Sequence, residues 1–261
     1  MAFYKVTYNK KYNFATVHNY GCTFGCPICS YKLASGSDGT PGLAYPKPER
    51  FLSKDEIKDA LSSVSLKKVH FMGGEPTVAK DLPDILDFAR NELNVKTILG
   101  HTNGSNLDLK NLDAANVGLK AWDDDVHKLI TGVEKKKIYD NFERAADKGM
   151  ELSANLIFIP GLVDLDQVES VAEFISKFKD IKFHIMGYIP VPGQPYRRPT
   201  AGEMKNAQSA AQKYVKNVGY SHLTPEQVLS LERNDDRFDV KVIAGQGTPR
   251  ILSLNTKKTI S

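Results

Sequence analysis

Three cysteines, Cys22, Cys26 and Cys29, fall within eight positions of the stretch YGCTFGCPICS, and the 261-residue chain has no others. Thiols so closely grouped, and odd in number, cannot all pair as disulfides; their C-x3-C-x2-C spacing suits metal ligation in a reducing compartment. Three thiolates can hold three corners of an iron–sulfur cubane, which takes one ligand per iron. The fourth iron then keeps an open position, and an open position is where chemistry occurs, as at catalytic zinc. A structural zinc site is the alternative. It needs a fourth ligand, which His18, His70 or His101 would have to supply.

A second constellation reads Gly73-Gly74-Glu75-Pro76-Thr77 and directly follows the strand-like run VHFM. In a βα barrel the C-terminal end of a strand faces the active site. The two glycines let a ligand approach the backbone closely, Glu75 can accept a hydrogen bond from a cationic amine, and Pro76 stiffens the turn. A plain βα turn would also use Gly-Gly.

The elements around these motifs alternate. Strand patterns appear at FATVHNY (14–20), VHFMGG (69–74), VKTILGHTNG (95–104), NVGLKAW (116–122), MELSANLIFIPG (150–161) and IKFHIMGYIP (181–190). Helix patterns lie between them. A Ser53/Glu56 capping box opens one through about residue 64, and Pro83 sits in the first turn of another over 82–93. Further helices are expected over 134–148, stopping at Gly149, over 163–178 and over 203–218. Strands alternating with helices argue for parallel pairing through crossovers. The expected fold is α/β, a partial (β/α)6 barrel over residues 1–218. Residues 219–261 read as a small appendage, with a helix at 225–232 and two runs, DVKVIAG and RILSLN, that could pair with each other.

Composition narrows the class. A net charge of +4, spread along the chain, does not argue for nucleic acid. No apolar run approaches the roughly 18 residues of a membrane helix, and the N-terminus lacks the apolar core of a secretory signal. A cytoplasmic protein with no membrane partner, and a monomer, is expected.

Taken together, C-x3-C-x2-C after the first strand and Gly-Gly-Glu-Pro after the second resemble the radical S-adenosylmethionine (radical SAM) superfamily, over about residues 14–218. The resemblance implies a [4Fe–4S] cluster on Cys22, Cys26 and Cys29, with the amino and carboxylate groups of SAM chelating the open iron. It implies reductive cleavage of SAM to a 5′-deoxyadenosyl radical that abstracts hydrogen from a substrate. A flavodoxin- or ferredoxin-type one-electron donor is implied as well. Expected cofactor contacts are Gly73, Gly74, Glu75, Thr77, His101, Asn103, Lys120 and Asn155.

Weaker stretches resemble the glycyl-radical enzyme activating enzymes, such as that of pyruvate formate-lyase. They are Thr102-Asn103-Gly104, Gly118-Leu119-Lys120, HKLITG (127–132) and Ile159-Pro160-Gly161 with Asp164; Asn155 stands where that group commonly has arginine. Carboxylates that help hold a monovalent cation beside SAM in that group are replaced here by His101 and Gly118. No cation is therefore expected, and His101 or Lys120 is expected to meet the SAM carboxylate. FATVHNYG replaces that group's Asp-Gly-Pro-Gly-Arg stretch, and Ser30-Tyr31 its His-Asn. The substrate is accordingly a glycine of a partner protein or peptide, or a small metabolite, lipid or nucleoside. Cleavage of another SAM carbon–sulfur bond stays open, as does a zinc-stabilised binding module without turnover. Neither an auxiliary cluster nor a cobalamin domain is expected.

Four further features suggested roles. His184 and Tyr188 share a strand face, Trp122 reads as a packing residue, Tyr196-Arg197-Arg198 could contact an anionic substrate or a partner, and the loop 35–50 could cover the cluster.

Overall fold

The structure is a computed structural model that describes residues 2–44, 47–229 and 236–246. Nine strands form one sheet in the order β8-β7-β6-β5-β4-β3-β2-β1-β9. Seven of them run parallel: β2 (Phe14–Tyr20), β3 (Lys68–Gly73), β4 (Lys96–Thr102), β5 (Ala114–Gly118), β6 (Glu151–Phe158), β7 (Lys182–Gly187) and β8 (Val218–Ser221). β1 (Ala2–Asn9) and β9 (Lys241–Gly245) add antiparallel strands at one edge. The helices are α1 (Lys32–Ser35), α2 (Lys54–Ser62), α3 (Leu82–Asn91), α4 (Asp124–Thr131), α5 (Lys135–Asp147), α6 (Leu165–Ser176), α7 (Ala201–Gln212) and α8 (Pro225–Leu229).

All six expected strands are present. β8 is a seventh parallel strand; it starts at Val218, the last residue of the helix expected over 203–218, and runs on into residues read as the appendage. That helix is α7, which starts earlier and stops at Gln212, because Thr200 and Glu203 form a capping box at its N-terminus. β1 was not expected. Five residues of its run AFYKVTYN are aromatic or β-branched, and seven of the eight are buried. DVKVIAG does form a strand, β9, but its partner is β1. RILSLN lies outside the described residues, as do 230–232 of the helix expected over 225–232.

The strand period of two divides the sheet into two unlike faces. Val17, Phe71, Leu99, Val117, Leu156 and Ile185 are fully buried on the side the helices cover. Each such side chain contributes about 1.5–3 kcal/mol by leaving water. The register pairs Thr16 with His70, Gly118 with Asn155 and Asn155 with His184, so the opposite face is polar. The sheet curls about that face. Flat neighbouring strands stand about 4.8 Å apart, yet Gly73 of β3 and Met186 of β7 line one cavity.

The described residues after β8 are held within the fold at two places. After β8, Arg198 donates to the carbonyls of His222 and Leu223 at 2.8 and 2.9 Å, and the His222 ring meets the Pro199 carbonyl at 2.7 Å. Val228 of α8 then reaches the cavity wall. At the far edge, buried Asn9 donates to the carbonyls of Asp236 and Asp239 at 2.8 and 3.1 Å, while Lys11 and Tyr12 hold the Asp236 carboxylate. Arg197 is bidentate on Glu203 at 2.9 and 2.6 Å. Both arginines of the 190–200 loop are thus engaged within the fold, Arg197 while still exposed.

Two inner-face histidines are held neutral. Loss of solvation, helped by the charge of Lys5, pushes His18 down to about 3, and loss of solvation with Lys68 pushes His70 down to about 4. The unfolded chain, with histidines near 6.5, therefore binds more protons below that pH than the folded one. Stability should be complete above about pH 6.5 and should fall as the pH drops towards 4, on the order of 1 kcal/mol per pH unit for each histidine. Urea midpoints of the metal-free protein measured across that window should decline, and H18Q should flatten the decline. A midpoint that stays constant across the window would contradict this account.

Candidate active site

The cysteine loop leaves the C-terminal end of β2 and is held on three sides. Beneath it, Asn19 is fully buried and its amide donates to the carbonyls of Gly21 and Glu75 at 2.8 and 2.9 Å. Glu75 N–H returns a bond to the Gly21 carbonyl at 2.7 Å. The fit is so close that a Cβ on Gly74 would stand 2.0 Å from the Gly21 oxygen. Gly73 adopts φ +134°, and a Cβ there would stand 2.2 Å from the Asn19 oxygen. The glycine pair therefore serves protein-to-protein contact as well as the cavity it borders.

On the second side, Gly21 N–H bonds the Gly42 carbonyl at 3.0 Å, and Pro41 and Gly42 of the expected covering loop do line the cavity. On the third, α4 ends at Gly132 in a left-handed cap, and its Thr131 carbonyl accepts Gly25 N–H at 3.2 Å. Phe24 is buried edge-on against the His127 ring at 6.3 Å, and His127 Nδ1 meets the Val133 carbonyl at 2.8 Å. HKLITG thus acts as a brace for the loop.

The cavity so formed has a volume of about 310 Å³, and Cys22, Cys26 and Cys29 all lie on its wall. Of the expected cofactor contacts, Gly73, Gly74, His101, Asn103 and Lys120 share that wall; Glu75, Thr77 and Asn155 do not. The Asn155 amide donates to Asn116 Oδ1 at 2.9 Å, and its own buried Oδ1 has no partner. Tyr188 lines the cavity beside Ile157, Met186 and Ile189. His184 does not; its Nε2 meets Ser221 Oγ at 3.1 Å. Trp122 packs edge-on against Tyr139 at 5.4 Å, under the Lys135 ammonium.

Glu75 has no exposed surface at all, and its carboxylate takes four donors. Thr77 N–H and Oγ1 reach Oε1 at 3.2 and 2.7 Å, Thr102 Oγ1 lies 2.9 and 3.0 Å from the two oxygens, and Asn103 N–H reaches Oε2 at 2.6 Å. Burial raises its pKa, against the pull of these bonds. Its carboxylate is occupied inside the protein and does not face a ligand amine.

Burial pushes Cys26 up to about 11 and raises Cys22, with the Lys120 charge opposing both. Buried thiols of this kind lose their protons when metal binds, and the binding free energy then holds the loop. Three sulfurs on one wall, opposite glycine backbone and a lysine, fit a cubane with one iron open to a carboxylate ligand. A single zinc ion fits less well, because no three His, Cys, Asp or Glu side chains among the described residues converge where one ion could sit. Loss of solvation and the Lys120 charge hold His101 neutral, down to about 4, so it can offer a hydrogen bond or a lone pair but no charge.

Glu75→Gln should test the buried carboxylate. The amide must turn N–H against N–H or O–H, leaving a buried donor unpaired at a cost of about 1–3 kcal/mol. Urea unfolding of the metal-free protein should show that loss, and a change below about 0.5 kcal/mol would contradict it.

Comparison with known proteins agrees with this geometry. A MJ1632 protein of Methanocaldococcus jannaschii, named as a candidate glycyl-radical enzyme activating enzyme, is 28% identical over 219 residues, covering 79% of this chain and 80% of the relative. A GTP 3',8-cyclase of Listeria monocytogenes is 28% identical over 200 residues, 69% of this chain and 57% of that enzyme. The SAM-bound structure of Streptococcus suis SuiB matches the fold with a TM-score of 0.60 at 16% identity, covering 87% of this chain and 56% of SuiB. The model of the radical SAM superfamily matches residues 16–175, which span all three cysteines and the glycine pair, and the chain belongs to that superfamily.

Proposed function

We propose that the protein is a radical SAM enzyme of the activating-enzyme type that abstracts hydrogen from a glycine of a partner protein or peptide. The observation that carries the chemistry is the shared wall of Cys22, Cys26, Cys29, Gly73, Gly74 and Lys120 around one cavity. The substrate reading is supported by the 28% identical relative, which is matched over about four-fifths of both chains.

When bound, the cluster and SAM supply one-electron cleavage of a SAM carbon–sulfur bond and the 5′-deoxyadenosyl radical. The residues do the rest. Cys22, Cys26 and Cys29 hold three irons. Backbone at Gly73 and Gly74 offers carbonyl acceptors to the SAM ammonium, and Lys120 and the neutral His101 face its carboxylate. No monovalent cation is needed, because Lys120 supplies the positive charge. Ile157, Met186, Ile189 and Val228 give the cavity an apolar flank that keeps water from the reactive carbon. The electron comes from a flavodoxin- or ferredoxin-type protein.

A second reading, radical modification of a small polar molecule, is favoured by one observation. Val228 of α8 lines the cavity, and Asn9 and Arg198 hold the neighbouring described residues 236–239 and 222–223 within the fold, which leaves less room for a partner's loop.

Anaerobic reconstitution should yield about four irons and four sulfides per chain. After reduction with SAM present, 5′-deoxyadenosine should appear; methylthioadenosine would instead indicate another cleavage, and intact SAM would overturn the proposal. Extract from cells grown in deuterated water separates the substrates. Deuterium should enter 5′-deoxyadenosine from the fraction retained on dialysis, and label arising only from the dialysable fraction would replace the protein substrate with a small one.

A further inference from the structure

Asn103 occupies an unusual place between the glutamate network and the cysteine loop. Its backbone N–H is fixed on Glu75 Oε2 at 2.6 Å, and its side-chain oxygen accepts Ser105 N–H at 2.9 Å. With main chain and oxygen both held, the amide nitrogen can point only one way. It donates to Cys22 Sγ at 3.7 Å and to Thr23 Oγ1 at 2.9 Å. Phe24 N–H approaches the same sulfur at 3.4 Å. Among the described residues, no side-chain N–H reaches Cys26 or Cys29 in a hydrogen bond.

The three cluster ligands are therefore not equivalent. A hydrogen bond to a ligating sulfur draws charge from it, and stabilises the cluster more after it has gained an electron than before. The bond is also nearly dry, since Asn103 is only 6% exposed. We propose that Asn103 is a tuning residue that raises the reduction potential of the cluster through Cys22, and that Glu75 is the positioning residue that aims it. This rests on the cluster assignment above and extends it, because it gives Asn103 a task on the iron–sulfur side and Glu75 a task at one remove.

The test is potentiometry of the reconstituted protein, followed by the paramagnetic signal of the reduced cluster. At the potential that half-reduces the native cluster, Asn103→Ala should lower the ratio of reduced to oxidised cluster about threefold to tenfold, the size of one lost hydrogen bond. Thr23→Val removes only the loop contact of the same amide and should leave the midpoint in place. Glu75→Asp keeps the negative charge felt at Cys22 but draws the carboxylate back from Asn103 N–H, and should move it in the same direction as Asn103→Ala. An unmoved midpoint in Asn103→Ala at native iron and sulfide content overturns the proposal. An equal fall in Thr23→Val also overturns it, since the asparagine would then act only by ordering the loop. An unmoved midpoint in Glu75→Asp removes the part assigned to the glutamate. Failure of the native protein itself to take up iron and sulfide would be a different result, and would count against the cluster.

Discussion

A carboxylate without water organises this site. Glu75 lies at the end of β3, entirely enclosed, and such a group is tolerated only where hydrogen bonds replace its hydration. The donors come from Thr77 on one side and from Thr102 and Asn103, at the end of β4, on the other. Two adjacent strand ends are thereby tied to one point. The same residue's main chain is bonded to Asn19 and Gly21 of the cysteine loop. Glu75 is thus the junction of three strand ends, and the cavity wall is set by their mutual positions.

Around that junction the fold separates two tasks. The helix-covered face of the sheet is apolar and supplies stability by burial. The inner face carries Thr16, His18, His70, Asn116 and Asn155, whose burial adds little stability. The cysteine loop needs bracing from outside the sheet, because eight residues spanning three metal ligands have few contacts of their own. Gly42 and the C-terminal turn of α4 provide it. Beyond β8 the chain adds β9 beside β1, at the other edge of the sheet.

Much of this was legible in the residues. The cysteine spacing, the glycine pair and the alternation of elements are local or periodic features, and they pointed to the cluster loop, the cavity edge and the parallel sheet. Ser53 and Glu56 announced α2 because a capping box is made within four residues. Other features were less visible. β1 reads as an undistinguished apolar run until β2 pairs with it. DVKVIAG has a strand's composition, but composition does not name a partner, and among the described residues that partner is β1. Asn19 gave almost no signal, since a lone asparagine near a strand end is commonplace.

The roles of individual polar side chains divide along the same line. The sequence alone determined which groups exist to do chemistry: three thiols at a ligand spacing, a glycine pair, and a few cations and imidazoles at strand ends. Only the tertiary structure decided which of them face the cavity. Glu75, Thr77, Asn103, Arg197 and Arg198 all read as groups available to a ligand. Once the chain folds, Glu75 and Thr77 satisfy each other, Arg197 pairs with Glu203, Arg198 holds the His222 and Leu223 carbonyls, and Asn103 is directed at a sulfur. The physical reason is that hydrogen-bond capacity is a property of a residue, whereas its use depends on which partners the fold brings within about 3 Å, and most of those partners are far away in sequence.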